Sequence, residues 1–327
     1  MIPATSGLRA RRARLRHQLA DLGYAAGWRG VRAMPDRMAR NMFDAGAFYA
    51  AVGGGPEQLR KNLARVLGVR PAEVPNSLMR ASLTSYARYW REAFRLPSMD
   101  LVEVTRRLDR YFEGAQYMAD AMDAGRGAVC ALPHSGNWDM AGVWLVHYYG
   151  TFTTVAERLK PESLARRFIE YRESLGFEVV PHSGGDRSPF EVCAERLRQN
   201  KFVCLMAERD LTRTGVPVDF FGESTRMPAG PAKLAIATGA PLMPAYIWNE
   251  EDTCGIRVHP PVDTSSGDVQ AITQTLADHF AADIATHPAD WHMLQPQWLA
   301  DLSDERRERL ASGVERSDGG PSLRDTF

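Results

Sequence analysis

The feature that most constrains the fold is a regular alternation of short apolar stretches with helix-like stretches, beginning near residue 125. The apolar stretches have the length of strands, and the stretches between them have the spacing of amphipathic helices. The strand-like stretches are GAVCALP, FTTVAER, FEVVP, FVCLMA, PLMPAYIW and GIRVHP. The segment between FVCLMA and MPAGPAKLAIATG is predicted to be a loop. Strands separated by helices of this length predict an α/β fold with a mostly parallel central sheet flanked by helices.

The first hundred residues have a different pattern, typical of amphipathic helices interrupted at AVGGGPEQ (51–58) and PAEVPNSL (71–78). Within them Tyr86, Trp90 and Phe94 recur every four residues and would share one helix face. Such a face either packs against the protein's own core, which is the commoner case, or lies on anionic lipid. The sequence therefore predicts a helical amino-terminal region ahead of the α/β part.

Charge is balanced over the whole chain but not along it. The 40 Lys and Arg residues equal the 40 Asp and Glu residues in number, so the net charge does not indicate a nucleic-acid partner. Arginines are instead concentrated in the first 50 residues, where acidic residues are few. We therefore predict a basic amphipathic helical arm over 1–50 and an α/β domain over 51–302, with a helical lead-in at 51–124. A disordered tail is predicted over 303–327.

The cysteine spacing and the apolar runs exclude several classes of protein. Cys130, Cys193, Cys204 and Cys254 are too far apart for a zinc site or a CxxC motif, which favours reduced, buried thiols in a cytosolic protein and no metal. The beginning of the chain lacks the apolar core of a signal peptide. No apolar run approaches the ~20 residues of a membrane-spanning helix. Any contact with a bilayer is therefore expected to be peripheral.

Two of the predicted strands run directly into titratable residues. AVCALP leads into His134, and FVCLMA leads into Glu208, Arg209 and Asp210. Ligands of open parallel sheets bind beyond the carboxyl ends of the strands. These residues therefore predict a single site at one edge of the sheet.

His134 is the candidate general base of this site. An imidazole accepts a hydroxyl proton near neutral pH, and an adjacent carboxylate raises its basicity and sets its tautomer. Asp139 could be that carboxylate, or it could fix the loop backbone. A histidine that only satisfies backbone groups is the alternative. The chain has no GxSxG motif and no recognisable cysteine nucleophile, so His134 is expected to activate a hydroxyl of the substrate. The amides of Ser135, Gly136 and Asn137 are expected to favour developing negative charge.

The stretch HSGNWD resembles the HxxxxD motif of the glycerolipid acyltransferases. That motif is weak alone, but its separation from FFGESTRMPAGPA makes the resemblance specific. Together they resemble the branch that contains the bacterial lipid A lauroyl and myristoyl acyltransferases. Within this branch, AERDLTRTGVPVDFFGESTRMPAGPA and HPADWHMLQPQWL resemble the actinobacterial phosphatidylinositol mannoside acyltransferases. The resemblance extends from YARYWREAFRLP to QPQWLADL, most of the chain.

This resemblance implies direct transfer of an acyl chain from acyl-CoA, a substrate, to a hydroxyl group. It implies no acyl-enzyme intermediate and no cofactor. His134 matches the general base of the family, Asp139 the motif aspartate, and Glu208 a glutamate thought to pair with the histidine. We favour Glu208 as the partner of His134, and Asp139 as the organiser of the loop.

The predicted substrate-binding residues are Arg172, Arg226, Asn137 and Asp210. Arg172 matches a family arginine near the acceptor, although an ordinary exposed helix arginine is the alternative. Arg226 is a candidate for a phosphate contact, because a guanidinium group matches phosphate oxygens.

The resemblance also implies the substrates and the location. The acceptor of the actinobacterial enzymes is a mannosylated phosphatidylinositol, acylated on the 6-hydroxyl of the mannose linked to the 2-position of inositol, with palmitoyl-CoA as favoured donor. We therefore expect a monomeric protein held peripherally by anionic lipid at the cytoplasmic face of the cell membrane. Three alternatives remain open: another glycolipid acceptor such as a lipid A-type sugar, a thioesterase that uses water, and a lipid-binding protein without activity.

Overall fold

A seven-stranded sheet forms the centre of the protein in the computed structural model, which describes residues 27–157, 162–183 and 187–312. Its strands are β1 (Phe112–Glu113), β2 (Ala128–Leu132), β3 (Thr153–Ala156), β4 (Glu178–Pro181), β5 (Phe202–Met206), β8 (Leu242–Asn249) and β9 (Cys254–Val258). Two further strands, β6 (Val216–Phe220) and β7 (Glu223–Met227), pair with each other in a separate sheet. The sheet has the order β1-β9-β8-β2-β5-β3-β4, and only β8 and β9 are antiparallel neighbours. The predicted α/β fold with a mostly parallel sheet is confirmed.

Helices cover both faces of this sheet and form the amino-terminal region. They are α1 (Asp36–Ala51), α2 (Glu57–Leu67), α3 (Asn76–Arg95), α4 (Leu101–Leu108), α5 (Ala115–Asp123), α6 (Trp138–Tyr149), α7 (Glu162–Ser174), α8 (Pro189–Arg198), α9 (Gly230–Thr238), α10 (Val269–Thr286) and α11 (Asp304–Ser312). Residues 27–33 are helical as well. None of the helices in the described ranges combines the length and apolar character that a bilayer crossing needs.

The central strand β2 is buried on both faces, as a strand between two helical layers must be. Val129 and Ala131 pack in one core with α8, α9 and α10. Ala128 and Cys130 point to the opposite face and pack in a second core with α3 to α6. The strand is therefore fixed from both sides, and the loop that follows it starts from a rigid position.

The amino-terminal helices pack against the α/β body. Helix α1 packs along α3, and the ring of Trp28 lies 4.8 Å from the ring of Phe94. Trp90 lies 5.7 Å from Phe168 of α7, so the aromatic stripe of α3 packs against the protein's own core. Contacts thus cross the predicted boundary at residue 50. The remainder of the predicted arm, residues 1–26, lies outside the described residues.

Two segments differ from the sequence prediction. The predicted loop after β5 contains an antiparallel hairpin of β6 and β7. Alternate residues of β6, beginning with Val216, are buried, and this face packs against α10, whereas Pro217 and Asp219 are exposed. Pro217 obscured this alternation, because proline argues against a strand except at an edge. Helix α11 lies inside the predicted disordered tail, so residues 304–312 of that tail are ordered as a helix.

Candidate active site

The register of β2 and β5 brings His134 and Glu208 together. Leu132 pairs with Met206, and the N–H of Ala207 donates to the carbonyl of Leu132 at 2.9 Å. Each titratable residue follows its paired residue by two positions, so both emerge at the same edge of the sheet. The contact predicted from the strand ends is present, because Nδ1 of His134 lies 2.7 Å from Oε1 of Glu208.

This pair has one buried and one accessible member. The side chain of Glu208 is fully buried, whereas 40% of the His134 side chain is exposed. Burial acts to raise the pKa of Glu208, but the charge of His134 and its hydrogen bonds, including one from its backbone N–H, lower that pKa overall. An ionised carboxylate only accepts hydrogen bonds, so Nδ1 of His134 carries the proton. In the neutral form of the ring, Nε2 is then the nitrogen that carries the lone pair.

The second oxygen of Glu208 strengthens the electrostatic interaction of this carboxylate with the His134 ring. Oε2 is buried and has no hydrogen-bond partner in the described part of the chain. A poorly solvated carboxylate interacts strongly with an adjacent cation. Glu208 is therefore placed to stabilise positive charge on the His134 ring.

The loop that carries His134 is fixed to the segment 290–292. The N–H of His292 donates to the carbonyl of His134 at 2.7 Å, and the N–H of Gly136 donates to the carbonyl of Asp290 at 2.9 Å. Gly136 has a φ of +53°, and a Cβ there would lie 2.7 Å from the carbonyl oxygen of Ile247. The position therefore requires glycine. The predicted role of the Gly136 amide toward developing negative charge is not supported, because that amide is already bonded.

His292 is a second histidine of the site, which sequence analysis missed. Its Nε2 lies 2.8 Å from Oγ of Ser85, and that hydroxyl donates to Oδ1 of Asp290 at 2.7 Å. Burial lowers the pKa of His292 to about 4 despite the opposing charge of Asp290, so the ring is neutral at neutral pH. The donating Ser85 hydroxyl leaves Nε2–H of His292 as the donor of their bond. In the sequence, the feature that could have indicated this role of His292 is its position within the stretch HPADWHML.

One face of α3 supports the whole loop. Ser85, Tyr89 and Glu92 are spaced by four and three residues, which places them on the same face. The hydroxyl of Tyr89 donates to Oδ2 of Asp139 at 3.2 Å, and Oε2 of Glu92 accepts from Nδ2 of Asn137 at 2.9 Å. Sequence analysis identified the aromatic stripe of this helix and missed this polar face. In the sequence, this polar face was indicated only by the four- and three-residue spacing of its residues.

Asp139 contacts Arg172 and Tyr89, and no hydrogen bond joins it to His134 in the described residues. Its carboxylate is 1% exposed and accepts from Nε of Arg172 at 2.9 Å. The Arg172 side chain is only 19% exposed, so it is not an ordinary surface arginine. Burial acts to lower the pKa of Arg172, and the charge of Asp139 outweighs this and raises it. The ion pair joins the motif helix α6 to α7, while a contact of Arg172 with the acceptor stays a prediction.

Replacing Arg172 with methionine is expected to lower the free energy of unfolding by about 3 kcal/mol, because the buried Asp139 carboxylate loses its cationic partner. Denaturant unfolding measures the change. Arg166→Met on the exposed side of the same helix is the matched control and is expected to change stability by less than about 0.5 kcal/mol. Equal losses in the two variants would show that the ion pair contributes nothing.

The geometry does not support the predicted substrate contact of Asn137. The residue is fully buried at the start of α6. Its Oδ1 accepts from the N–H of Met140 at 3.1 Å, and its Nδ2 is bonded to Glu92. Both polar atoms are used inside the protein, so Asn137 acts as a helix cap.

Asp210 and Arg226 hold the loop that follows Glu208. Oδ1 of Asp210 accepts from the N–H of Thr212 at 3.1 Å and from its hydroxyl at 2.6 Å. Nη1 of Arg226 donates to carbonyls of the same loop, including those of Arg213 at 3.0 Å and Gly215 at 3.2 Å. Their substrate contacts remain predictions. Within the described ranges, no group of His, Cys, Asp and Glu is arranged to hold a metal ion.

Comparisons with known proteins agree with the motifs. The family described as bacterial lipid A biosynthesis acyltransferase matches residues 9–300. The phosphatidylinositol mannoside acyltransferase of Mycolicibacterium smegmatis is 72% identical over 295 residues, which cover 90% of this chain and 96% of that protein. The protein of the same name from Mycobacterium tuberculosis is 68% identical over 292 residues, covering 89% and 92% of the two chains. The resemblance drawn from the motifs is confirmed.

Proposed function

This chain belongs to the bacterial lipid A biosynthesis acyltransferase family, and from that premise we propose that it acylates phosphatidylinositol mannosides with acyl-CoA as donor. The family and the names of the two relatives support acyl transfer and this acceptor class. We propose palmitoyl as the acyl group and the 6-hydroxyl of the 2-linked mannose as its destination, on the resemblance to the actinobacterial enzymes. The observation that carries the chemistry is the 2.7 Å contact between an accessible His134 and a buried Glu208.

In the proposed reaction, Nε2 of His134 takes the proton of the acceptor hydroxyl. The hydroxyl oxygen attacks the thioester carbonyl carbon, a C–O bond forms, and the C–S bond breaks. The imidazolium returns its proton to the leaving thiolate, so CoA departs as a thiol and the ring is neutral again. Glu208 stabilises the imidazolium between these steps and keeps Nδ1 protonated.

Peripheral attachment to an anionic membrane is part of the proposal, because the acceptor is a lipid. Helix α1 supports this attachment, because it has a stripe of exposed apolar residues on one face. The first and last members of the stripe lie 11 positions apart. The stripe includes Met38, Met42 and Tyr49, which are 59%, 44% and 81% exposed. The opposite face packs on α3. An apolar face beside an arginine-rich amino terminus is typical of helices that lie in the membrane interface.

The double variant Met42→Glu/Tyr49→Glu is therefore expected to bind vesicles of phosphatidylinositol and phosphatidylcholine about tenfold more weakly in a sedimentation assay. The matched control is Asn41→Glu/Ala50→Glu, which adds the same charge to the same helix at exposed positions beside the stripe. Equal weakening in both variants would mean that charge, not the apolar stripe, decides binding.

Mass spectrometry of the products tests the function itself. The protein is incubated with palmitoyl-CoA and vesicles that contain a phosphatidylinositol mannoside, and the lipid is expected to gain one palmitoyl group on a mannose. Fragmentation identifies the acylated sugar. A parallel reaction supplies a lipid A-type acceptor, and a third omits the acceptor. CoA release that does not depend on acceptor would instead identify a thioesterase.

A further inference from the structure

Trp138 is the first residue of α6 and lies beside the candidate base. The centroid of its ring is 5.6 Å from that of the His134 imidazole, and the two rings are almost perpendicular, at 87°. Both side chains are partly exposed, whereas the three residues between them in the chain are buried. An aromatic surface and the base therefore reach the solvent side by side.

The ring of Trp138 is fixed in this position by Tyr89 of α3. The two rings are stacked, with centroids 4.2 Å apart and an angle of 30° between their planes. Tyr89 is only 4% exposed, and its hydroxyl is bonded to Asp139, so it forms a rigid support. A side chain that is ordered only on binding lowers the affinity by the entropy it loses. Because Trp138 is already ordered, a ligand that packs on it avoids this cost.

Trp138 also has a hydrogen-bond donor that the protein does not use. Of the seven tryptophans in the chain, three donate from Nε1 to an acceptor within the protein, and three have a buried Nε1 without a partner. The first group is Trp144, Trp248 and Trp298, and the second is Trp28, Trp90 and Trp291. In the described part of the chain, Nε1 of Trp138 belongs to neither group. This N–H is therefore open to solvent, and to a ligand, beside His134.

An exposed indole with a free N–H is suited to a sugar ring. The C–H groups of a pyranose carry partial positive charge and pack on the negative face of an aromatic ring. Its hydroxyl oxygens accept hydrogen bonds from N–H groups. When one sugar hydroxyl is bonded to Nε2 of His134, the rest of that sugar comes within contact distance of an indole 5.6 Å from the imidazole. One sugar can thus contact the base and Trp138 at the same time.

We propose that Trp138 binds the mannose ring of the acceptor and so holds the reactive hydroxyl at Nε2 of His134. The inference rests on the proposed function and assigns to that site a residue that determines which acceptor reacts. Acyl-CoA is the other ligand of the site. Its thioester carbonyl could accept from the indole N–H, but the pantetheine chain next to the thioester has no ring to pack on the indole. A sugar uses both features of Trp138, so we assign the residue to the acceptor.

Two substitutions separate the two features. Trp138→Phe keeps an aromatic ring against Tyr89 and removes the N–H. It is expected to lower kcat/KM for a detergent-dispersed phosphatidylinositol mannoside about fivefold, the effect of one neutral hydrogen bond. Trp138→Leu removes the aromatic face as well and is expected to lower kcat/KM about 20-fold. The KM for palmitoyl-CoA is expected to stay unchanged in both variants.

Trp144→Phe is the matched control. Trp144 lies on the same helix, and its Nε1 donates to Asp109 at 2.7 Å, so the substitution removes the same N–H from a place inside the protein. This variant is expected to unfold at a lower denaturant concentration and to keep every kinetic constant within about a factor of two. Denaturant unfolding of all three variants shows whether a loss of activity comes from instability.

A binding measurement keeps the test independent of turnover. Calorimetric titration with a short-chain, water-soluble phosphatidylinositol mannoside is expected to give about fivefold weaker binding to Trp138→Phe than to Trp144→Phe. Short-chain phosphatidylinositol without mannose is titrated in parallel. It is expected to bind the two variants equally, because it lacks the sugar that Trp138 contacts.

Four results overturn the inference. Unchanged kcat/KM for the acceptor in both Trp138 variants shows that the indole does not bind the sugar. A raised KM for palmitoyl-CoA with unchanged acceptor constants assigns Trp138 to the donor. Weaker vesicle binding with unchanged constants on the detergent-dispersed acceptor assigns it to the membrane. Equal losses of kcat/KM in Trp138→Phe and Trp144→Phe show that the effect is only a loss of stability.

Absence of transfer by the wild-type protein is a different outcome, which refutes the proposed function. The titration then decides the inference by itself. Weaker binding of the mannoside by Trp138→Phe supports it, whereas equal binding by the two variants, or no binding by the wild type, overturns it.

Discussion

Replacing His134 with alanine is expected to lower kcat for acyl transfer about 10³-fold, because the acceptor hydroxyl loses its general base. The fold is expected to persist, since the side chain is 40% exposed and contributes little to either core. A discontinuous assay of CoA release in the presence of acceptor measures the rate, and circular dichroism follows the fold.

His147→Ala is the matched control for this variant. His147 is an exposed histidine on α6, the helix that follows the catalytic loop. Its removal is expected to leave kcat within a factor of two of wild type. If His134→Ala turned over as fast as this control, the assignment of the base would be wrong.

Replacing Glu208 with glutamine is expected to lower kcat by roughly 10²- to 10³-fold with little change in either KM. The amide cannot stabilise the imidazolium by charge, and it no longer restricts Nδ1 to the protonated form. The same Oε1 accepts the backbone N–H of His134, so the substitution also weakens the anchoring of the loop. Initial rates at varied donor and acceptor concentrations separate kcat from KM.

Glu178→Gln is the control for Glu208→Gln. Glu178 begins β4 and accepts hydrogen bonds of 2.7, 2.8 and 3.1 Å from Arg196, remote from the strand ends that form the site. This variant is expected to lose some stability and to retain kcat. A change confined to KM in Glu208→Gln would move Glu208 from the proton-transfer chemistry to substrate binding.

The parts of the site that could be predicted from sequence are those set by local pattern. His134 and Glu208 each follow an apolar strand directly, and parallel strands end at the same edge, so their place at one edge of the sheet follows from the sequence. Their contact depends in addition on the pairing of β2 with β5, which the sequence pattern does not give. The polar contacts of His292 could not be predicted in this way. Ser85 and Asp290 lie 205 positions apart, and no periodicity links them.

Misassignments occurred where one residue type serves two purposes. Asn137 beside the base looks in sequence like a substrate ligand, yet asparagine is equally suited to capping a helix, and the structure uses it so. The hairpin of β6 and β7 was missed because Pro217 interrupts an otherwise alternating pattern. The α/β fold itself was predictable because its period is repeated along most of the chain.

Helix α3 has a practical consequence for anyone who wishes to work with a shortened enzyme. One of its sides receives α1 and the ring of Trp28, and another side supplies Ser85, Tyr89 and Glu92 to the loop around the base. Deleting the first 51 residues to obtain a lipid-independent form would uncover the first side and loosen the second. We expect such a truncated protein to lose acyl-transfer activity even on an acceptor dispersed in detergent. Point substitutions are therefore the better means of separating membrane binding from catalysis.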